Sequence, residues 1–294
     1  NFAFLGALEM ISEAEIRRIA AQKQVDPMII DLDYSLGWFL HGLITVSKWN
    51  QSCIFKGGTC LRKCYFPDYR FSEDLDFTMI QLITLDDLGN WITQIADWIT
   101  DQQGPNFLIQ PTRLEIVNDE YGNETYQARI YYRGPLEWGG PPRAVKLDVT
   151  RAEIVALPAV EKPIIHPYSD GNLFEGNHIS CYSLEEIVAE KMRAIAGQRR
   201  FAVSRDIYDI YQILTFGVDM ARVYEILPQK FDIKDLDLAQ FDIRSIDSRR
   251  AEYERDWHSR LHYLVVQNKI EFAVAWQFII DLFSEIQRKT SKQS

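Results

Sequence analysis

Residues 55–77 read FKGGTCLRKCYFPDYRFSEDLDF, and they hold two polar motifs close together in the chain. The glycine pair Gly57–Gly58 stands where a short predicted strand gives way to a predicted helix. Backbone N–H groups at the start of a helix have no intrahelical partner, and glycine lets the backbone approach an anion closely. Asp74 and Asp76 stand two residues apart on a predicted strand, so both side chains lie on one face. The stretch therefore predicts a phosphate-binding loop close to a pair of carboxylates.

This combination suits a nucleoside triphosphate (NTP) that is bound through a divalent metal ion. Mg²⁺ prefers oxygen ligands and is commonly held by one or two carboxylates together with substrate phosphates. A glycine pair alone is typical of a turn, and an isolated pair of aspartates is typical of a solvated strand end. Their order and spacing here favour the functional interpretation over two unrelated surface features.

The bulk composition indicates a globular protein and argues against several functional classes. The chain has 294 residues, of which 47% are hydrophobic and 25% charged, as in ordinary folded domains. The net charge of −10 argues against a protein that coats nucleic acid through bulk charge, although it leaves room for a local basic groove. No apolar run of membrane-spanning length and no secretion signal is visible, so we expect a cytoplasmic protein with no membrane partner.

The four cysteines are too few for a disulfide scaffold in a chain of this length. Cys60 and Cys64 stand four residues apart on the predicted helix that follows the glycine pair. We expect them to pack there as small apolar side chains.

The periodicity of apolar residues predicts an α+β fold followed by a helical part. Helices are predicted over residues 10–24, 32–50, 59–65 and 85–102, and strands over residues 52–55, 75–80, 113–117, 126–133 and 144–150. The last three strands read as an antiparallel meander, so we expect a mixed, largely antiparallel sheet flanked by helices. The segment 151–180 is predicted to be an irregular connection, and the chain from residue 183 onward to be helical. We expect two domains, at residues 1–165 and 166–294.

A third carboxylate lies on the strand predicted over residues 144–150. Asp148 shares one face of that strand with Lys146. If the strand lies beside the one that carries Asp74 and Asp76, the three carboxylates can hold a metal ion and can deprotonate or orient an attacking hydroxyl. An exposed aspartate on an edge strand is the alternative, and the strand by itself does not choose between the two.

One lysine interrupts an apolar helical stripe in the C-terminal part. Ser183 and Glu186 form a capping-box pattern that defines a helix start, and the stripe then runs through Leu184 and Ile187 to Lys191. A lysine at that place either extends its charged end to the edge of the stripe or reaches an active cleft, where it neutralises phosphate charge.

The same region is locally basic within an acidic chain. Five cations and no acid occur in its sequence, namely Lys191, Arg193, Arg199, Arg200 and Arg205. They form a candidate surface for RNA or triphosphate, or else a solvated helix end. Asp206 and Asp209 follow one helical turn apart, near a helix start where carboxylates are stabilised in any case.

The motif KGGT at residues 56–59 with Leu61 and Lys63, and the motif RFSEDLDF at residues 70–77, resemble the AbiEii/AbiGii toxin family of nucleotidyltransferases. This family is related to the MenT toxins and belongs to the DNA polymerase β-like nucleotidyltransferase superfamily. The resemblance extends from about residue 35 to about residue 215, and it includes the helix with Lys191 and the segment RDIYD at residues 205–209. It implies a nucleotidyltransferase core in residues 1–165, with the helical domain contributing Lys191 and Asp206 to the cleft.

The resemblance also implies roles for individual residues. Gly57, Gly58 and Thr59 would cradle the triphosphate, and Lys56 and Ser72 beside them complete the set of nucleotide-binding candidates.

The metal site and the catalytic residues follow from the same resemblance. Asp74 and Asp76 would bind Mg²⁺ or Mn²⁺, and Asp148 stands where the superfamily has its third metal-binding carboxylate. Lys191 would contact phosphate. Asp206 would be a catalytic acidic residue, and it is preferred over Asp209 because it directly follows an arginine.

The implied function is an Mg²⁺-dependent toxin of a bacterial toxin–antitoxin or phage-defence system. It would transfer a nucleoside monophosphate (NMP) from an NTP to an RNA acceptor, such as the 3′ end of a tRNA, and so arrest growth. A cognate antitoxin from the same operon is the expected regulator, and it need not bind the toxin directly.

Two alternatives belong to other functional classes. The first is a non-catalytic module that binds NTP or RNA on the same fold. The second is an aspartyl-phosphate phosphatase, because residues 74–78 also fit the DxDxT pattern. In such phosphatases the nucleophilic aspartate follows a buried apolar strand, whereas residues 70–73 before Asp74 are mostly polar, and the glycine pair has no role in that scheme.

Overall fold

The computed structural model describes residues 10–118, 124–265 and 270–290. The chain divides into two compact units. The first comprises Asn1–Ala152 and Val160–Cys181, and the second comprises Glu153–Ala159 and Tyr182–Ser294. Within the described ranges, no helix is both long enough and apolar enough to cross a bilayer.

The first unit contains five α-helices among its described residues. They are α1 (Glu13–Lys23), α2 (Pro27–Val46), α3 (Trp49–Ser52), α4 (Gly57–Cys60) and α5 (Leu85–Asp101). Helix α4 continues without a break into a π-helical turn, Leu61–Tyr65, and a 3₁₀ turn covers Gly171–Phe174. Helix α2 begins earlier than the predicted residue 32, because the Asp26 side chain caps it and Pro27 occupies its first position.

A mixed sheet forms the centre of the first unit. Its seven described strands are β1 (Cys53–Lys56), β2 (Asp74–Met79), β3 (Arg113–Asn118), β4 (Glu124–Tyr132), β5 (Arg143–Thr150), β6 (Val160–Pro163) and β7 (His178–Cys181). Their order is β3-β4-β5-β2-β1-β7-β6, with parallel pairing of β2 to β5 and of β1 to β7, and antiparallel pairing elsewhere. The predicted α+β class with a largely antiparallel sheet is confirmed.

The prediction of an irregular connection over residues 151–180 is wrong in part. Strands β6 and β7 lie in this segment, and β7 pairs with β1 on one side and with β6, the edge strand, on the other. Each strand has only four residues, and β6 ends in Pro163, so neither shows an alternating pattern of useful length. Strand β7 is stabilised by pairing with β1, more than 100 residues earlier in the chain. The local sequence does not reveal this pairing.

Alternation along β2 and β5 separates the core from the polar face. Leu75 and Phe77 on β2, and Leu147 and Val149 on β5, are fully buried. The ring of Phe77 stacks on Phe55 of β1 with centroids 4.8 Å apart. The aspartates of β2 and β5 lie between these residues, and they are directed to the opposite face.

A buried ionic cluster joins α2 to the turn that follows α4. Asp33 accepts hydrogen bonds from Arg62 Nε at 2.5 Å, from Lys63 Nζ at 2.8 Å and from the Tyr168 hydroxyl at 2.6 Å. Burial works to raise the pKa of Asp33, but the two cations lower it far below its ordinary value. Because the turn continues α4, this cluster also holds the glycine pair in position.

The second unit is helical, as predicted. Its described α-helices are α6 (Leu184–Arg193), α7 (Ser204–Phe216), α8 (Met220–Asp232), α9 (Ile243–Asp247), α10 (Arg250–Ser259) and α11 (Phe272–Thr290). Helix α6 packs against α7 and α8, and α11 packs against α7. The Ser183 hydroxyl accepts from Glu186 N at the start of α6, which is one half of the predicted capping box. The other half is not formed, because the Glu186 carboxylate accepts from Ala156 N and Leu157 N instead.

Candidate active site

Strands β2 and β5 bring three carboxylates onto one face of the sheet. The strands are parallel, and their register places Asp76 beside Asp148 and Asp74 beside Lys146. All three aspartates are half-buried. The expectation that the strand of Asp148 lies beside the strand of Asp74 and Asp76 is therefore confirmed, and β5 is an interior strand of the sheet.

Asp148 has two unlike carboxylate oxygens. Oδ2 accepts a hydrogen bond from Lys146 Nζ at 2.6 Å, whereas Oδ1 is buried and has no hydrogen-bond partner among the described residues. Burial raises the pKa of Asp148 above its ordinary value against the lowering effect of Lys146, and the carboxylate of Asp76 adds to the rise. A buried carboxylate oxygen without a partner is costly, so it indicates a place for a cation or a proton.

The glycine pair lies directly against this face. Lys56, the last residue of β1, is opposite Asp76 in the antiparallel register. Gly57 follows with a φ of +78°, and a Cβ there would lie 2.6 Å from Asp76 Oδ2. A Cβ on Gly58 would lie 2.5 Å from Arg70 Nη2 and 3.0 Å from Ser72 Oγ. The positive φ of Gly57 favours glycine, and both glycines lie against side chains of the second motif, so the two sequence motifs meet in space.

Thr59 connects the two motifs through the backbone. Its side chain is buried, and its hydroxyl donates to the main-chain carbonyl of Asp74 at 2.5 Å. This bond holds α4 against the start of β2. The role of Thr59 toward a phosphate stays a prediction.

Two cationic side chains also lie in this region, and the sequence patterns assign no role to them. Arg70 is buried and donates to the Phe71 carbonyl, and its guanidinium lies next to Gly58. Lys146 is half-exposed, and although burial works against its charge, the hydrogen bond to Asp148 and the nearby carboxylates raise its pKa. An arginine four residues before Asp74, and a lysine two residues before Asp148 on the same face, are the sequence signals that could have identified them.

The donor set of this face fits a divalent metal ion. Asp74, Asp76 and Asp148 supply carboxylate oxygens, the ligand type that Mg²⁺ and Mn²⁺ prefer. The buried Oδ1 of Asp148 lacks a partner within the described ranges, and the missing side chain at Gly57 lets the Asp76 carboxylate lie against the backbone of the glycine pair. These features of the chain itself agree with the predicted metal site.

In the second unit, Lys191 pairs with two carboxylates of α7. Its Nζ lies 2.7 Å from Asp206 Oδ1 and 2.8 Å from Asp209 Oδ2, which explains a lysine within the apolar stripe of α6. Arg199 lies 3.4 Å from Asp206. Although burial works to raise the pKa of Asp206, Arg199 and Lys191 hold it below its ordinary value. Both aspartates are buried and both contact Lys191, so these contacts do not choose between them.

The predicted cationic surface over residues 191–205 is wrong for Arg193. Its side chain is only 2% exposed, and its guanidinium binds both oxygens of Glu153, at 3.0 and 2.6 Å. Arg193 also donates to the Lys230 carbonyl. The residue completes a buried ionic cluster of the second unit, and a contact with Glu153, 40 residues away, has no local signal in the sequence.

Comparison with known proteins agrees with this geometry. The family described as nucleotidyl transferase AbiEii toxin, type IV TA system, matches residues 38–277. Comparison with curated proteins gives no significant match.

Solved structures share the fold at low sequence identity. MenT4, a nucleotidyltransferase toxin from Mycobacterium tuberculosis, aligns with a TM-score of 0.63 and 20% identity over 94% of this chain and 89% of its own. JHP933 from Helicobacter pylori aligns with a TM-score of 0.54 and 16% identity over 92% of this chain and 96% of its own. Because the family match covers most of the chain, the protein belongs to the AbiEii nucleotidyltransferase toxin family of type IV toxin–antitoxin systems.

Proposed function

We propose that this nucleotidyltransferase depends on Mg²⁺ and transfers NMP from an NTP to a hydroxyl of RNA, with the 3′ end of tRNA as the expected acceptor. One observation carries the proposal of the site: Asp76 lies beside Asp148 in the sheet and directly against the backbone of Gly57. The backbone proposed to bind phosphate and the carboxylates proposed to bind the metal ion thus share one small region. The choice of RNA rests on the resemblance of the sequence motifs.

Different residues of the first unit would bind the triphosphate and the metal ion. The glycine pair brings the backbone close to the triphosphate, with Lys56 and Ser72 as further contacts. Asp74 and Asp76, together with Asp148, would hold a divalent cation, which when bound would neutralise triphosphate charge and stabilise charge that develops on the leaving group.

Asp148 is the proposed proton acceptor. Lys146 donates to its Oδ2, whereas its Oδ1 has no hydrogen-bond partner in the described part of the chain. As the hydroxyl oxygen bonds to the α-phosphorus, its proton passes to Asp148. The bond from the α-phosphorus to the bridging oxygen breaks, and pyrophosphate leaves with that electron pair.

The roles proposed for Lys191 and Asp206, as a phosphate contact and an acidic catalytic residue, stay predictions. Their contacts described above lie within the second unit, where each also stabilises the other's charge. An antitoxin is the expected partner of a type IV system. Growth arrest through modified RNA, in a role such as phage defence, is the proposed outcome in the cell.

The phosphatase alternative loses support from the position of Asp74. In that chemistry the nucleophile follows a buried apolar strand, whereas Asp74 is the first residue of β2 and the apolar residues come after it. The segment before it, residues 70–73, has no regular secondary structure.

A labelling experiment tests the proposal. The protein is incubated with Mg²⁺, total RNA and each α-labelled NTP in turn, beside the variant Asp76→Asn and the control Asp97→Asn, whose side chain is exposed on α5. We expect label on RNA with the wild type and with Asp97→Asn, and none with Asp76→Asn. Full labelling by Asp76→Asn would contradict the proposal, because Asp76 is its central residue. NTP binding without labelled product would instead support the non-catalytic module.

A further inference from the structure

Three cysteines of the first unit form a compact buried cluster. The sulfurs of Cys60, Cys64 and Cys181 all lie within 4.8 Å of one another, and all three side chains are buried. Cys60 ends α4, Cys64 lies in the π-helical turn that continues it, and Cys181 ends β7. The fourth cysteine, Cys53, is also free and buried, and it lies outside this cluster.

The three thiols affect one another's acidity, and Cys181 Sγ also donates to the Ile179 carbonyl at 3.4 Å. Burial opposes a charge on Cys64, but the hydrogen bonds from Cys181 and Cys60 and the charges of Lys63 and Lys162 lower its pKa to about 5. Burial raises the pKa of Cys60 and of Cys181, and contact with the other sulfurs adds to the rise at Cys60.

We propose that Cys60, Cys64 and Cys181 bind a soft, thiolate-preferring metal ion of the Zn²⁺ or Cu⁺ class. Thiolates select such ions over Mg²⁺. Around zinc, with Zn–S bonds of about 2.3 Å, tetrahedrally arranged sulfurs lie roughly 3.8 Å apart, so the cluster needs only a small contraction to bind. The site is separate from the carboxylate face, and the inference does not depend on the proposed function.

Charge and proton balance agree with such a site. Each thiol that becomes a ligand releases one proton to solvent, and no electron is transferred. Three thiolates around Zn²⁺ carry a net charge of −1, and around Cu⁺ a net charge of −2. Lys63 and Lys162, whose charges already act on Cys64, offset this negative charge.

Because of where the cluster lies, a bound ion would affect the structure of the first unit. Cys60 and Cys64 belong to the helical segment that begins with the glycine pair, whereas Cys181 belongs to β7, which pairs with β1. A bound ion would cross-link that segment to the sheet through Cys181. Packing of the cysteines as small apolar residues, which the sequence predicted for Cys60 and Cys64, would not require three sulfurs to converge.

Spectroscopic titration of reduced, metal-free protein tests the proposal. Co²⁺ serves as the probe for the zinc arm, because thiolate ligands give a sulfur-to-cobalt charge-transfer band that carboxylates do not give. A second titration with Cu⁺ forms the other arm. The variants are Cys60→Ser, Cys64→Ser and Cys181→Ser, with Cys53→Ser as the matched buried control.

We expect one equivalent of ion to bind with the charge-transfer signal, and each cluster variant to weaken binding at least tenfold while Cys53→Ser leaves it unchanged. Proton release on Zn²⁺ addition, measured on the wild type alone, keeps the test valid if a serine variant fails to fold. Absence of a thiolate signal with both ions, or an unchanged signal in a folded Cys181→Ser variant, would overturn the proposal. So would a disulfide between two of the three cysteines in the protein as purified.

Discussion

At the residue scale, the proposed site depends on two features: the missing side chain of Gly57 and the unpartnered carboxylate oxygen of Asp148. Gly57 lacks a side chain where one would meet the Asp76 carboxylate, and it adopts a left-handed backbone angle. Asp148 leaves one buried oxygen without a partner in the described part of the chain, while Lys146 holds the other. A buried oxygen without a partner costs stability and is unnecessary in an inert sheet, which is why we propose that Asp148 serves catalysis.

Gly57→Ala should lower transferase activity by about 100-fold or more, because the new Cβ displaces Asp76 and a misplacement of about 1 Å can cost that much. The control is Gly176→Ala, since Gly176 also has a positive φ of 85°, but a Cβ there would meet no described atom within 4 Å. Both variants bear a backbone cost of about 1–2 kcal/mol. Initial rates and melting temperatures are measured together, and equal activity loss in the two variants would refute the steric explanation.

Asp148→Asn should lower the turnover rate by about 10²–10⁴-fold, because the amide cannot accept the proton of the attacking hydroxyl. We expect the loss mainly in kcat, with a smaller effect on the KM for NTP. Steady-state kinetics with Asp97→Asn as control provide the measurement. A variant with unchanged kcat and a strongly raised KM would assign Asp148 to substrate binding alone.

At the scale of elements, the site is made by pairings that bring separate segments together. The parallel register of β2 and β5 places Asp76 beside Asp148. The Asp33 cluster ties α2 to the turn that continues α4, and the Thr59 bond ties α4 to β2. These contacts are assigned a structural role, so their loss is expected to act through stability and position.

Asp33→Asn should destabilise the protein by about 3–5 kcal/mol, because Arg62 and Lys63 lose a buried counter-charge. The control on the same helix is Asp26→Asn, since asparagine caps a helix as well as aspartate does. Because the folded-state pKa of Asp33 is depressed, its contribution is complete above the unfolded pKa of about 3.9 and is lost as the pH falls further. Urea unfolding at several pH values should therefore show the difference from wild type narrowing below about pH 4, and a constant difference would contradict it.

Lys191→Met should destabilise the protein by about 3 kcal/mol, although methionine suits the apolar stripe of α6. Asp206 and Asp209 would remain buried without their shared cation. The control Lys289→Met removes an exposed pair with Glu285, for which we expect a much smaller loss because solvent screens exposed ion pairs. Chemical unfolding of both variants provides the comparison, and equal stabilities would show that the Lys191 pairs contribute nothing net.

At the scale of the whole molecule, the sequence predicted what is local and left open what depends on distant contacts. The faces of β2 and β5 followed from alternation, and the helical second unit followed from its period. Strands β6 and β7, the burial of Arg193 and the convergence of Cys181 with Cys60 each depend on partners far along the chain. The apolar periodicity of a segment does not reveal such partners, because the atoms that stabilise the segment belong to another part of the chain.

The most direct test of the central claim follows two labels on one NTP, at the α- and the γ-phosphate, during reaction with RNA. Nucleotidyl transfer predicts the α-label on RNA and an equal amount of the γ-label in pyrophosphate, with both lost in Asp76→Asn. The γ-label on the acceptor or in inorganic phosphate, with the α-label left in nucleoside diphosphate, would contradict nucleotidyl transfer at this site.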